Sequence, residues 1–170
     1  RDTYPFGLFL QWWNIWPPIR SIQRLIGGKK LSKKEWSKHS VTYPDWISGS
    51  FVLMRRSDFK IIGGWDERFW MYYEDMDLSK RAADKGWKRV MYNELTCVHS
   101  HGGSSRINHD IKALTKSTVI KSAYLYINKY MTGLARSIAV ATLYKITILD
   151  LLLSAPFSTT KRKMIRLFLK

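Results

Sequence analysis

A chain of 170 residues, 45% hydrophobic and 14% aromatic, can bury one core and is too apolar to be disordered. Its 29 Lys and Arg outnumber 13 Asp and Glu, and a formal charge of +16 seeks phosphate, whether in nucleic acid, anionic lipid or a diphosphate-linked substrate. The single cysteine, Cys97, excludes a disulfide framework and fits a reducing compartment.

The chain opens on Arg1-Asp2-Thr3, without an initiator Met or a signal-peptide pattern, and reads as a piece of a longer protein. Residues 4–26 are rich in Trp, Phe, Ile and Leu, and Trp12, Trp13 and Trp16 at helical spacing predict a helix that packs on a core. Gly27-Gly28 opens a loop with Lys29, Lys30, Lys33, Lys34 and Lys38, a solvated charge run or a phosphate-facing loop. Gly49 to Arg56 reads as a buried strand. Ser57 is the expected N-cap of a short turn, Asp58 to Ile62, which Gly63-Gly64 stops.

The next helix is expected from about Glu74 to Lys85, with Leu78 and Ala82 on its buried side and Gly86 as its stop. Lys88 to Tyr92 and Thr96 to His99 suggest two short strands around Asn93-Glu94. Gly102-Gly103-Ser104-Ser105 reads as a loop. From Asn108 the pattern turns helical through Tyr124-Leu125-Tyr126-Ile127, and Gly133 separates a second helix, Leu134 to Ala155. In it Thr147, Asp150 and Ser154 form a narrow polar stripe, and Lys145 and Asp150 leave it short of the uninterrupted apolar run of a transmembrane span. Pro156 ends it. The tail mixes Lys161, Arg162, Lys163, Arg166 and Lys170 with Met164, Ile165, Leu167, Phe168 and Leu169, a composition that suits a membrane surface or packing on its own domain.

Charge is unevenly spread. Nine of the 13 acids lie between positions 41 and 107, and five of them crowd into Asp66 to Asp77 among aromatics and glycines. Carboxylates in the first turn of a helix satisfy orphan N–H groups and the positive end of its dipole. Glu74, Asp75 and Asp77, preceded by Asp66-Glu67, exceed what capping requires. Glu74 and Asp77 share a helix face, while Asp75 projects to the side. Such a carboxylate can serve as general base toward a hydroxyl if burial or neighbouring carboxylates raise its pKa against the dipole. His99 and His101 alternate on an expected strand end and so point the same way, which beside acids suggests a divalent metal.

The order Trp46-x-x-Gly49, strand, Arg55-Arg56-x-x-Phe59, Ile62-Gly63-Gly64-Trp65-Asp66-Glu67-x-Phe69, Glu74-Asp75-x-Asp77-Leu78-x-x-Arg81, Gly86, Val98-His99 and Gly103-Ser104-Ser105 resembles the C-terminal half of a bacterial family-2 glycosyltransferase. The branch it looks most like is the rhamnosyltransferase-like enzymes of surface-polysaccharide assembly. The resemblance covers about Asp45 to Arg106. It implies an α/β chain: half of a GT-A nucleotide-diphosphosugar transferase fold over 1–107, holding the acceptor side, and a helical, basic, membrane-associating extension over 108–170. It implies inverting transfer of a sugar, possibly rhamnose, from a nucleotide-diphosphate donor to a glycan or polyprenyl-diphosphate-linked acceptor. By the same resemblance Asp75 is the catalytic base and Glu74 orients the acceptor. Trp46, Gly49, Gly63, Gly64, Trp65, Asp66 and Asp77 shape the acceptor and sugar pocket. His99 joins a donor-bound Mg2+ or Mn2+. The implied location is cytoplasmic, peripheral on the inner face of the cell membrane. The family's nucleotide-binding half and its Asp-x-Asp are missing, so the isolated 170 residues are expected to be inactive; Asp75-Met76-Asp77 opens a helix and does not replace that motif.

Two further readings remain at this point. A basic, non-catalytic module for anionic membrane or nucleic acid would explain the charge, although no nucleic-acid motif is present and none is expected as partner. A metal hydrolase would use His99, His101 and the acids.

Overall fold

The computed structural model describes residues 40–99 and 107–169. The helix expected around Trp12–Trp16, the lysine run from Lys29, His101 and the loop at 102–105 lie outside them. The described residues fall into two compact units: the first holds 40–64 and Leu78–Val98, and the second holds Trp65–Asp77, His99 and 107–169. The acidic stretch therefore packs with the C-terminal helices.

In the first unit, β1 (Val41–Thr42) pairs antiparallel with β2 (Met91–Tyr92), Val41 opposite Tyr92 and Thr42 opposite Met91. The Asn93 N–H extends the ribbon to the Ser40 carbonyl at 2.9 Å. This two-residue ribbon is the whole sheet among the described residues. The strand expected over Gly49 to Arg56 is absent, as is the one over Thr96 to His99. Val52 and Met54 are half-buried while Phe51 and Leu53 face solvent at 65% and 92% exposure. The segment thus keeps strand-like alternation, but no described neighbour lies alongside to form a ladder.

Helix α1 (Arg56–Ile61) starts two residues earlier than expected. Arg55 is its N-cap and makes no side-chain capping bond, whereas Ser57 lies inside the helix with its hydroxyl on Asp58. Its end follows the sequence closely. Gly63 and Gly64 have φ of 85° and 68°. The Gly64 N–H reaches the Phe59 carbonyl at 2.9 Å, and the Gly63 N–H reaches Lys60 at 3.0 Å, the paired bonds of a Schellman stop.

Helix α2 (Glu74–Asp84) ends in the same way. Gly86 takes φ 74°, its N–H bonds Ala83 at 2.8 Å, and the Trp87 N–H bonds Ala82 at 2.9 Å. Ile62, Leu78 and Ala82 form the buried cluster, with Met54, Phe59 and Trp87 against it, so the hydrophobic contact that accompanies such a stop is made by Trp87. The Arg81 guanidinium donates to the Ile62 and Gly64 carbonyls at 2.6 and 2.8 Å, satisfying acceptors at the end of α1.

In the second unit, helix α3 (His109–Tyr130) is capped by Asn108, whose side chain accepts from the Asp110 and Ile111 N–H groups at 3.0 and 2.9 Å. Helix α4 (Gly133–Ser154) continues into a 3-10 turn, Ala155–Phe157, where Pro156 stands at the start. Helix α5 (Thr159–Phe168) is capped by Ser158 and folds back onto α3. Ala113, Leu151 and Met164, one from each helix, form the core, flanked by Ile120 and Ile165. His109 Nδ1 bonds the Thr160 hydroxyl at 2.9 Å, and Lys163 pairs with Asp110 at 2.6 Å. Of the two readings of the tail, packing on its own unit is the one observed, with Arg162, Arg166, Leu167 and Phe168 left on the outer side.

Helix α4 corrects the expectation that it falls short of a membrane span. At about 1.5 Å per residue its 22 residues reach about 33 Å, and Gly133–Phe157 is long and apolar enough to cross a bilayer by length and composition. Its charges do not exclude it: Asp150 is already paired with Lys161 and accepts from the Ser154 hydroxyl at 3.1 Å. Ala139, Leu143 and Leu151 make its buried stripe.

Candidate functional site

The segment Trp65–Asp77 is a loop that enters the acidic helix. Asp66 opens it with a turn, its Oδ1 accepting the Arg68 N–H at 3.2 Å and its carbonyl the Phe69 N–H at 3.0 Å. The Arg68 guanidinium binds both Asp66 oxygens, at 2.8 and 2.6 Å. At the other end Asp77 is wholly buried, a carboxylate with no exposed surface. Its Oδ1 accepts from the Tyr130 hydroxyl at 2.6 Å and from the Lys129 ammonium. Lys129 Nζ also donates to Asp66 Oδ2 at 2.7 Å. One cation therefore ties together two carboxylates that bracket the loop.

Between those ends the backbone is strained. Tyr72 and Tyr73 both lie in the left-handed region, at φ 65° and 70°, a conformation that costs an L-residue about 1–2 kcal/mol each. Contacts with α3 offset that cost. The Ser122 hydroxyl donates to the Met71 carbonyl at 2.9 Å. The buried ring of Tyr126 packs on Tyr73 (centroids 5.6 Å), Phe69 (6.5 Å) and Tyr130 (4.7 Å). Burial of one such ring is worth about 1.5–3 kcal/mol. Lys129 lies over the Phe69 and Tyr130 rings at 5.8 and 5.3 Å. Ser122, Tyr126, Lys129 and Tyr130 stand at i, i+4, i+7 and i+8, one face of α3.

The loop delivers Glu74 and Asp75 to the first turn of α2, both half-buried. Asp75 Oδ1 accepts the Met76 N–H at 2.8 Å. Glu74 Oε2 is buried with no hydrogen-bond partner. Burial pushes the Glu74 carboxyl above its ordinary pKa, and the neighbouring Asp75 charge adds to the rise. Asp66 moves the other way: the Arg68 hydrogen bonds, with help from Lys129, hold it well below the usual carboxylate range. Two carboxylates in the first turn of a helix are placed to exchange a proton with a hydroxyl, whereas Asp66 is committed to Arg68 and Lys129.

Of the residues singled out from sequence, Glu74, Asp75, Trp65, Asp66 and Asp77 belong to this unit, and so does His99. Trp65 is exposed beside Asp66. Asp77 is enclosed, so its observed role is to bind α3 and not to present an oxygen to a ligand. Trp46, Gly49, Gly63 and Gly64 belong to the other unit. There Trp46 is exposed and Gly49 sits in a turn, with the neighbouring Ile47 N–H held by the Ser79 hydroxyl at 3.2 Å. His99 is exposed and not on a strand. Among the described residues no three His, Cys, Asp or Glu side chains gather to hold a metal ion, so these residues by themselves do not form the expected divalent site. Sequence reading missed Lys129, Tyr130, Tyr126 and Ser122; their common helix face was the available signal.

Comparison with known proteins bears on this geometry. Over 60 residues the chain is 43% identical to the N-acetylglucosaminyl-diphospho-decaprenol L-rhamnosyltransferase of Mycobacterium tuberculosis, covering 35% of this chain and 20% of that protein. Over 75 residues it is 40% identical to the rhamnosyltransferase WbbL of Escherichia coli, covering 44% of this chain and 28% of that protein. The chain carries a rhamnosyltransferase-like glycosyltransferase segment. This segment spans less than a third of either relative's length. No family model matches the chain, and no solved structure matches it significantly.

Proposed function

We propose that the rhamnosyltransferase-like segment is the acceptor side of an inverting glycosyltransferase of GT-A type. Its donor would be a nucleotide-diphosphate sugar, L-rhamnose in the first instance, and its acceptor a polyprenyl-diphosphate-linked glycan in bacterial surface-polysaccharide synthesis. The observation that carries the reading is the 43% identity to an enzyme whose name states both an L-rhamnosyl group and a diphospho-decaprenol acceptor.

In this reading the acceptor hydroxyl lies at the first turn of α2. Its proton passes to the Asp75 carboxylate as its oxygen bonds to the anomeric carbon. The bond from that carbon to the diphosphate breaks, and its electron pair leaves with the nucleoside diphosphate. Glu74, half-buried beside Asp75 in the same turn, orients the acceptor sugar. Trp65 offers an apolar face to a sugar ring. A Mg2+ or Mn2+ ion would supply charge neutralisation at the diphosphate, with His99 as one ligand and the others outside the described residues.

The same reading places the protein on the inner face of the cell membrane. Leu134, Leu149, Leu152, Leu153 and Phe157 of α4 and its turn are exposed, and Arg162 and Arg166 face outward from α5. Apolar and basic groups together suit an anionic bilayer.

The test is transfer of rhamnose to N-acetylglucosaminyl-diphospho-polyprenol by the protein as the cell makes it. Asp75→Asn is expected to lower kcat by about 10²–10⁴-fold while donor binding survives. Activity near wild type in that variant would remove Asp75 from the base role.

A further inference from the structure

The reaction proposed above needs carboxylates held steady, yet the backbone that delivers them contains two adjacent left-handed tyrosines. Something must hold that conformation, and local sequence does not: neither residue is Gly or Asn, the types that adopt it cheaply. The restraint comes from α3, and its centre is Lys129. This ammonium contacts Asp66 and Asp77, the first and last acids of the loop, and so closes it at the neck. Tyr130 secures the same Asp77 oxygen, Tyr126 packs under Tyr73, and Ser122 holds the Met71 carbonyl. Asp77 lies one helical turn beyond Glu74, so fixing Asp77 fixes the turn that carries Glu74 and Asp75.

We propose that Lys129 is a positioning residue for this reaction: by bridging Asp66 and Asp77 it holds the Asp66–Asp77 loop closed and sets the aim of Glu74 and Asp75 toward the acceptor. It touches neither reacting atom. Its effect is confined to the acceptor side, because the groups it contacts belong to the loop, to the first turn of α2 or to α3. The inference rests on the glycosyltransferase reading, and its test is arranged so that the two can fail separately.

The experiment measures steady-state rhamnose transfer with the donor and the acceptor varied independently, in the protein as the cell makes it. Lys129→Gln keeps an N–H donor, one bond shorter than the ammonium, and cannot neutralise two carboxylates. Its kcat/KM for acceptor is expected to fall by about 10²-fold, the scale of a misplacement of about 1 Å, while donor KM stays within about twofold. Lys129→Arg, which keeps the charge, is expected to retain most of the acceptor kcat/KM. Lys129→Gln leaves a buried carboxylate without its cation and could fail to fold, so the double variant Asp77→Asn with Lys129→Gln is measured beside it. That pair removes the buried charge and is expected to fold, but leaves Asp66 without its tie to α3, held by Arg68 only from within the loop. A folded double variant that still has a weakened acceptor kcat/KM supports the positioning role. A folded double variant with wild-type kinetics would show that Lys129 serves only stability, and would overturn it. A wild-type protein that transfers no rhamnose would overturn the function and the positioning role together.

Discussion

Consider what happens when the cation under Asp77 is removed. Asp77 has no exposed surface, and its Oδ1 depends on Lys129 and Tyr130. Lys129→Met takes the ammonium from that carboxylate and leaves the Tyr130 hydroxyl in place, and stripping the partner from a buried charge costs about 3–5 kcal/mol. Asp77→Asn is milder. The amide oxygen still accepts from Tyr130, and Lys129 keeps Asp66 at 2.7 Å, so the loss is that between a charge-assisted and a neutral hydrogen bond, about 1–2 kcal/mol. Combining them removes the buried charge and its partner together. The double variant is therefore expected to be no less stable than Lys129→Met alone, and the coupling between the two sites to be about 1.5–3 kcal/mol. Urea unfolding at pH 7 of wild type, the two singles and the double measures it directly. If the effects simply add, to within about 0.5 kcal/mol, the two side chains do not act as a pair and the neck of the loop is not what holds it.

Other expectations follow from the same contacts. Glu74→Gln should stabilise the protein at neutral pH, because the carboxyl's pKa is raised by burial in the folded state. The folded protein then holds the proton more tightly than the unfolded chain, so the penalty is absent below the unfolded value of 4.5 and complete only above the folded one; the gain from Glu74→Gln should vanish on acidification, and a gain independent of pH would contradict the assignment. Gly86→Ala should cost about 1 kcal/mol in a urea melt, since a methyl there meets nothing within 4 Å and only the backbone term of about 1–2 kcal/mol remains, less about 0.4–1 kcal/mol regained from the unfolded chain. Gly86→Asn should cost less, and equal losses would point to a packing clash instead. Leu152→Glu with Leu153→Glu should reduce co-sedimentation with vesicles containing anionic lipid; undiminished recovery would place the membrane contact elsewhere.

Much of the local structure could be read from the chain. The helical run from Asn108, Gly133 between two long helices, Gly86 and Gly63-Gly64 as stops, and Leu78 and Ala82 as a buried pair all depend on neighbours within a turn or two, where chemistry and spacing suffice. Strands were less legible. Phe51 to Met54 and Thr96 to His99 have apolar character, but a strand exists only when another segment supplies its ladder, and a run of residues does not state its partner. The acidic cluster was visible in the sequence, whereas the division of labour inside it was not. Lys129 lies 63 residues from Asp66 and 52 from Asp77, so no local pattern shows that those two carboxylates are committed to it. Nor does Tyr72-Tyr73 announce a left-handed backbone, because nothing in a tyrosine favours one. Helix α4 shows the reverse error: counting its charges hid how apolar the remainder is.

The paired tyrosines also limit how this segment can change. Glycine at 72 or 73 would relax the backbone, yet it would hand back to the unfolded chain the freedom that a side chain denies it, and at 73 it would empty the place now filled by a ring on Tyr126. Most other residues would keep the backbone cost without that ring. Variants at 73 should accordingly tolerate phenylalanine and little else, while variants at 72, where the ring is partly in water, should be more permissive, so that two neighbours of the same type and the same torsion answer to different rules.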